Sequence, residues 1–373
     1  LAFAFVLLAR GADRREPAPK FEATDVWERS FATGEKVLLE LTSFAGVVSL
    51  NTGPPSVVDI TATKRSRGAN PEEAARSLAS ISIQATQNGE TISLACRLSG
   101  GGRSRLTGYA AVDLKITVPA NAEVSVEMGS GSVTAVGPQQ GLTIVGDSLI
   151  VSVFDVRGSL LVRTKKGTIR AADVTGSCVL EAKEGRVYGE RLHCPALLAT
   201  AGSNVTLKDS EVDGVANLQA GDGGLRIERL RARSLEAQAS AGRSEIVDST
   251  VEGSATLHTD KGVALADRLK AGLLWIRTGT AGIYLQNVEG GLHLESREGS
   301  IEVRRAVASA LEISSVSSSI LFHGRLPSSA KGTIRSQSGD ISLFVERESS
   351  FQLDASTRRG RVVNQLDGST LVD

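Results

Sequence analysis

The 373-residue chain balances 42 Lys plus Arg against 42 Asp plus Glu, so no global field draws in nucleic acid or anionic lipid. Its 39 glycines, single Met and 4% aromatic content fit narrow, repetitive β structure, in which small branched side chains fill the interior and Gly makes the turns. Three cysteines, Cys96, Cys178 and Cys194, cannot all pair internally, which excludes a disulfide scaffold as the main source of stability.

The apolar run Leu1-Ala2-Phe3-Ala4-Phe5-Val6-Leu7-Leu8-Ala9 precedes the charged stretch Asp13-Arg14-Arg15-Glu16. Residues 1–18 read as the tail of an export signal or of a single membrane anchor. The run is shorter than the roughly twenty residues that span a bilayer. Ala9 and Gly11 satisfy a small-x-small cleavage preference, and no Cys follows to carry a lipid. The competing reading is a buried N-terminal strand. Export places the protein in the cell envelope, the periplasm or on the cell surface, touching membrane only through this segment.

Residues 19–130 are β-like but irregular. Leu39-Glu40-Leu41, Gly46-Val47-Val48-Ser49-Leu50 and Asp59-Ile60-Thr61-Ala62-Thr63 predict short strands. Asn70-Pro71-Glu72-Glu73 supplies the N-cap, first-turn proline and acidic first turn of a helix over residues 70–78. Ser99-Gly100-Gly101-Gly102-Arg103-Ser104-Arg105 predicts a loop, and Val112 to Val118 a strand that stops at Pro119. These are early rungs with an inserted hairpin and helix that cover one end of a repeat, where an open edge would invite pairing.

From Gly131 to the C-terminus, residues 131–373, one pattern recurs. Its clearest copies are Val162-Arg163-Thr164-Lys165-Lys166-Gly167-Thr168-Ile169, Leu180-Glu181-Ala182-Lys183-Glu184-Gly185-Arg186-Val187 and Leu294-Glu295-Ser296-Arg297-Glu298-Gly299-Ser300-Ile301. The turn position runs Gly167, Gly185, Ser203, Gly223, Gly242, Gly262, Ala281, Gly299, Ser318, Gly339 and Gly360, a spacing of about nineteen residues. Three residues earlier stands a small side chain: Thr164, Ala182, Thr200, Ala220, Ala239, Thr259, Thr278, Ser296, Ser315 or Ser336. Two residues earlier still stands an apolar one, among them Val162, Leu180, Leu198, Leu218, Leu257 and Ile276. After the turn come Ile169, Val187, Val205, Leu225, Ile283, Ile301, Ile320 and Ile341. A last apolar column is Val174, Leu192, Val212, Leu230, Val251, Leu269, Val288 and Leu326.

Alternate residues of a strand share a face, so these columns stack inside while Arg163, Glu181, Arg226, Glu295 and Glu302 point out. The period is too short for a βαβ unit, and its two-residue alternation is not helical. The chain is therefore expected to be all-β: a right-handed parallel β-solenoid, or single-stranded β-helix, of about a dozen rungs. The hand follows the usual preference of parallel crossovers.

Gly46-Val47-Val48-Ser49-Leu50, Ile116-Thr117-Val118-Pro119, Gly129-Ser130-Gly131-Ser132-Val133 and the later Gly-x-Ile/Val rungs, in that order, resemble the bacterial putative-adhesin domains of unknown function. Those exported envelope proteins are named adhesin-like from their β-solenoid shape. The resemblance implies fold and location across the chain after the leader, and brings no enzymatic residues with it.

Chemistry-bearing patterns are sparse. His193, His258, His293 and His323 stand at no ligand spacing. Asp209-Ser210-Glu211-Val212-Asp213-Gly214 opens like a calcium loop, but Ala220 stands where a bidentate Glu is required. Gly221-Asp222-Gly223-Gly224 is a single copy of a motif that works in tandem. No cofactor, metal or catalytic residue is predicted. Superposed rungs set Cys178 and Cys194 two positions apart, which predicts no disulfide between them.

Candidate surface contacts are Trp275, Tyr188 and Tyr284, on outward parity and able to stack on sugar rings, together with Arg226 and Arg229 in the basic stretch Arg226 to Arg233. A second basic cluster is Arg358-Arg359-Gly360-Arg361. The competing reading is a solvated outer face for the basic clusters, and for the aromatics that they cover apolar surface near a rung edge. The sequence thus predicts a non-catalytic exported envelope protein for adhesion, scaffolding or envelope-stress function, with envelope glycans or other envelope proteins as partners and no nucleic acid. The alternatives are a carbohydrate-acting enzyme on a β-helix, and a structural element that self-assembles through an uncovered C-terminal rung after Leu366.

Overall fold

The computed structural model describes residues 21–34, 36–99, 109–138, 140–349, 354 and 363. The leader at 1–18, the loop from Gly100 to Arg105, the turn at Gly360, the Arg358 to Arg361 cluster and the rung after Leu366 lie outside the described residues. The chain is a β-solenoid of about 12 parallel turns, dividing into unit 1, Leu1–Asp213, and unit 2, Gly214–Asp373.

Unit 1 contains β1 (Phe21–Ala32), β2 (Val37–Thr52), β3 (Val57–Gly68), helix α1 (Pro71–Ala79), β4 (Ile81–Asn88), β5 (Thr91–Leu98), β6 (Ala110–Val118), β7 (Ala122–Val136), β8 (Gly141–Val156), β9 (Ser159–Thr175), β10 (Cys178–Cys194), β11 (Leu197–Ala201) and β12 (Asn204–Lys208). The short strands expected around Leu39 and Val47 are one continuous β2. It pairs in parallel with β7 from Val37↔Ala122 to Asn51↔Val136, and β8, β9 and β10 stack on in the same way. The coils thus begin at Val37, and residues 53–121 are inserted between the first two. Strands β5 and β6 pair in parallel with β2, over Leu38–Thr42 and Val48–Thr52 respectively. Antiparallel β4, β3 and β1 then end the parallel ladder, with α1 against β3 and β1.

Helix α1 starts as its sequence dictates: the Asn70 side chain accepts a hydrogen bond from the Glu73 N–H at 2.8 Å, and Glu73 accepts one from the Ala69 N–H at 2.9 Å. In the coils, Val162 stacks on Leu180 and Ile169 on Val187, all at most 1% exposed. Glycine at the turn is a matter of clearance. A Cβ on Gly185 would sit 1.7 Å from the Gly167 carbonyl oxygen, and one on Gly167, at φ +126°, 1.9 Å from that of Leu149.

One coil departs from the expected columns. Leu180 pairs with Ala199 and Ala182 with Ala201, so Leu197, Ala199 and Ala201 are buried while Leu198 and Thr200 are half-exposed. Cys178 pairs with Leu197, an advance of 19 residues where the preceding coil advances 18. That extra residue, taken up at Pro195-Ala196, flips the face of the strand.

Unit 2 receives β13 (Glu211–Ala220) across the division and continues with β14 (Gly224–Glu228), β15 (Arg231–Ala239), β16 (Arg243–Thr259), β17 (Val263–Thr278), β18 (Ile283–Ser296), β19 (Ile301–Ser315), β20 (Ile320–Arg325), β21 (Lys331–Ser336) and β22 (Ile341–Val345). The column Ala237, Leu257, Ile276, Leu294, Ile313 and Ile334 is in register as expected. Coil length varies: Ile283 pairs with Ile301 and Ile320 with Ile341, advances of 18 and 21 residues. The small column before the turn has a hydrogen-bonding role. Thr259, Ser296 and Ser315 accept the N–H groups of Gly262, Gly299 and Ser318 at 3.1, 3.0 and 3.2 Å, closing the turn with a hydroxyl.

A second corner is made without glycine. Asp155, Asp173, Arg191 and Asp209 in unit 1, and Arg229, Asp248, Arg268, Asn287 and Arg305 in unit 2, all hold φ between 49° and 57°. The next residue turns inward, and here the expected last apolar column needs correction. Its members include Ser210 and Ser249, while Val212 and Val251 stand one pleat further, paired with Cys194 and Ala232. The buried hydroxyls are satisfied: Ser210 accepts from the Leu192 N–H at 3.1 Å and donates to the Lys208 carbonyl at 2.7 Å. Ser249 does the same with Leu230 and Val247, at 3.1 and 2.8 Å.

Candidate functional site

The outer face of unit 2 after the glycine turn carries two outward columns, partly exposed. The first reads Arg226, Glu245, Leu265, Tyr284, Glu302, and the second Glu228, Val247, Asp267, Gln286, Arg304, each set in register. Strand spacing of about 4.8 Å separates successive members. Between them lies a shallow groove of about 430 Å³, walled by Arg243, Glu245, Asp267, Glu302 and Arg304 and centred on Tyr284, Leu265 and Gln286.

Tyr284 lines this groove. A Cβ on Gly282 would meet the Tyr284 Cε2, Cζ and hydroxyl at 2.8, 2.9 and 2.9 Å, so the ring lies back along the strand over the glycine backbone. Its hydroxyl is 3.4 Å from Ser300 Oγ, and the residue keeps 38% of its surface exposed. In register beside it is the half-buried Leu265. An aromatic ring lying against a glycine and flanked by an aliphatic side chain is an apolar platform with a polar tip.

The charges around the platform are engaged with one another. Glu245 binds Arg243 at 3.0 Å and faces Arg226 at 3.8 Å. Glu302 is paired with Arg304, and Asp267 with Arg268 and the Asn287 amide, the last at 2.8 Å. The groove therefore offers hydrogen-bond donors and acceptors around a ring, with its charges cancelled in pairs.

Of the residues singled out from sequence, Tyr284 and Arg226 belong to this surface. Trp275, 43% exposed, lies on the strand before the glycine turn, edge-on to His293 at 5.4 Å between ring centroids. His293 is in turn held by Glu295 at 2.9 Å and Glu312 at 3.0 Å. Arg229 is a member of the left-handed corner column and pairs with Glu228 at 3.8 Å. Tyr188, in unit 1, is half-buried with the Arg170 guanidinium 5.9 Å from its ring centroid. Leu265, Gln286, Asp267 and Gly282 were not singled out. The signal was there in their equal offsets from the turn in adjacent rungs, which place them around Tyr284. Among the described residues no group of three or more His, Cys, Asp or Glu side chains is placed to hold a metal.

No protein-family model matches the chain, and no curated protein does. Among solved structures the chain is similar to a putative adhesin from Bacteroides fragilis, at 13% identity and a TM-score of 0.30, covering 75% of this chain and 96% of that one. It is similar to a putative cell adhesion protein from Clostridium sporogenes at 10% identity and a TM-score of 0.24, covering 75% and 99%. A putative lipid binding protein from Parabacteroides distasonis follows at 11% identity and a TM-score of 0.23, covering 86% and 97%. Bacterial putative adhesins thus recur among the structures this chain is similar to, while its β-solenoid assignment rests on its own strand register.

Proposed function

We propose that this is a non-catalytic, exported cell-envelope protein whose solenoid presents the Tyr284 groove to a glycan. The observation that carries the reading is the Tyr284 ring, lying over Gly282 yet exposed, with Leu265 beside it and polar groups around it. A sugar presents a C–H face that stacks on such a ring and hydroxyls that bond to Gln286 and the acidic rim, which is binding chemistry. The groove's carboxylates are tied to Arg or Asn side chains, which speaks for recognition over proton transfer. Export is supported by the apolar run and charged stretch at residues 1–18, and the zero net charge speaks against nucleic acid as partner.

A panel of neutral and acidic oligosaccharides immobilised on a surface tests this. The protein is expected to retain a subset of them, and Tyr284→Ala to lose at least about tenfold in affinity, the scale of one stacking contact of about 1.4 kcal/mol. Trp275→Ala, away from the groove, should bind as the parent does. Retention of every glycan by Tyr284→Ala with an unchanged melting curve would refute the assignment.

A further inference from the structure

Two of the three cysteines meet inside one coil. Cys178 opens β10 and Cys194 closes it, and rungs superposed by sequence set the two apart. The end of the coil, however, comes to lie one strand spacing above its start. There the Gly176 N–H donates to the His193 carbonyl at 3.0 Å, and the Cys178 N–H to the Ala196 carbonyl at 3.4 Å. Both side chains point into the core at this corner, Cys178 at 1% and Cys194 at 0% exposure, and the two thiols lie within range to interact with each other. That interaction raises Cys178 above the ordinary thiol range and lowers Cys194. In the adjoining coils Leu160 and Leu197 occupy the Cys178 position and Val212 that of Cys194, so only this coil sets sulfur against sulfur.

Cys96 differs. It sits on β5, with its thiol pushed up to about 11 by burial, and behaves as a small core hydrophobe. The bland reading of the other two is the same. Against it stands their direct contact, which a single buried thiol does not need.

We propose that Cys178 and Cys194 form a disulfide when the chain folds in an oxidising compartment, stapling the two ends of one coil. The two thiols give up their protons and two electrons by exchange with a disulfide oxidant, which leaves as two thiols while the Cys178–Cys194 sulfur bond forms. Because both sulfurs are buried in the finished coil, exchange precedes its closure, and the bond is then shielded from reductants.

The full chain, refolded from the reduced state in a mixed reduced and oxidised glutathione buffer, provides the test. Alkylation in denaturant, with and without prior reduction, followed by peptide mass mapping should show one bridged peptide pair, Cys178 with Cys194, lighter by two hydrogens, and Cys96 alkylated without reduction. The melting midpoint should be higher in the oxidised than in the reduced protein. The double variant Cys178→Val, Cys194→Val should show no oxidant-dependent shift, and its cooperative melting would confirm that it folds. Three freely alkylated cysteines after refolding, or a bridge that includes Cys96, would overturn the proposal. Neither outcome bears on the glycan groove.

Discussion

Units 1 and 2 stack their coils by the same rule but close them differently. In unit 1 the strands β7 to β10 run through the turn unbroken, each coil advancing 18 residues without a slip in register, and the turn column brings the Gly167 and Gly185 backbones into contact with the coil below. In unit 2 the turns are longer, side-chain hydroxyls close those at Gly262, Gly299 and Ser318, and the register slips once between most neighbouring coils. A solenoid therefore tolerates a variable period as long as slack is spent in turns and the inward columns realign after it. The candidate site arises at one of the longer turns: Gly282, between Thr278 and Ile283, makes room for the Tyr284 ring, whereas Tyr188 in unit 1 has Arg170 over its face.

The hardest blow to this contrast is a side chain in the tight turn. Gly185→Val drives a Cβ into the Gly167 carbonyl and is expected to cost about 3 kcal/mol, read as a lower urea midpoint. A loss below about 1 kcal/mol would mean that the unit 1 turn has slack after all.

The second corner is common to both units and should respond alike in each. Ser210→Ala and Ser249→Ala strand the buried N–H groups of Leu192 and Leu230, costing about 1–3 kcal/mol each by urea titration. A loss confined to one variant would show that the corners are not equivalent.

The smallest effect is electrostatic. Arg191 grips Asp173 at 2.7 and 2.8 Å in unit 1, and Arg268 grips Asp248 in unit 2, one contact being 3.1 Å. Hydrogen bonding to these guanidinium groups holds both carboxyls below their usual range. A depressed folded-state value means that the stabilisation is present above the unfolded carboxyl value of about 3.9 and is lost as pH falls through the folded one. Both pairs are exposed, so salt screens them. The parent's stability should fall over that acid window slightly more than that of Asp173→Asn or Asp248→Asn, and the difference should shrink in high salt. Identical acid titrations of parent and variants would rule the ladders out as contributors.

Much of this was legible along the chain. The alternation around Val162, Leu180, Leu294 and Ile301 announced parallel coils, the Asn70-Pro71 start announced α1, and Pro119 ended β6 as expected. Outward parity singled out Tyr284, though not what surrounds it. Misreadings came at Pro195-Ala196, where one residue of slack turned Leu198 and Thr200 outward, and at the corners before Ser210 and Ser249, where a left-handed residue changes which side chain turns inward. Those corners depend on residues such as Arg191 and Arg268 holding a left-handed backbone, and arginine carries no turn signal.

By itself the sequence determined the repeat, its inward columns and the strand character of the chain, because side-chain alternation and turn chemistry are local properties that recur with the coil. Only the tertiary structure decided what meets at a corner: Cys178 with Cys194, Ser249 with the Leu230 N–H, and the Tyr284 ring with Gly282. Those contacts depend on how the backbone turns between strands, where a single residue of slack re-aims every side chain that follows.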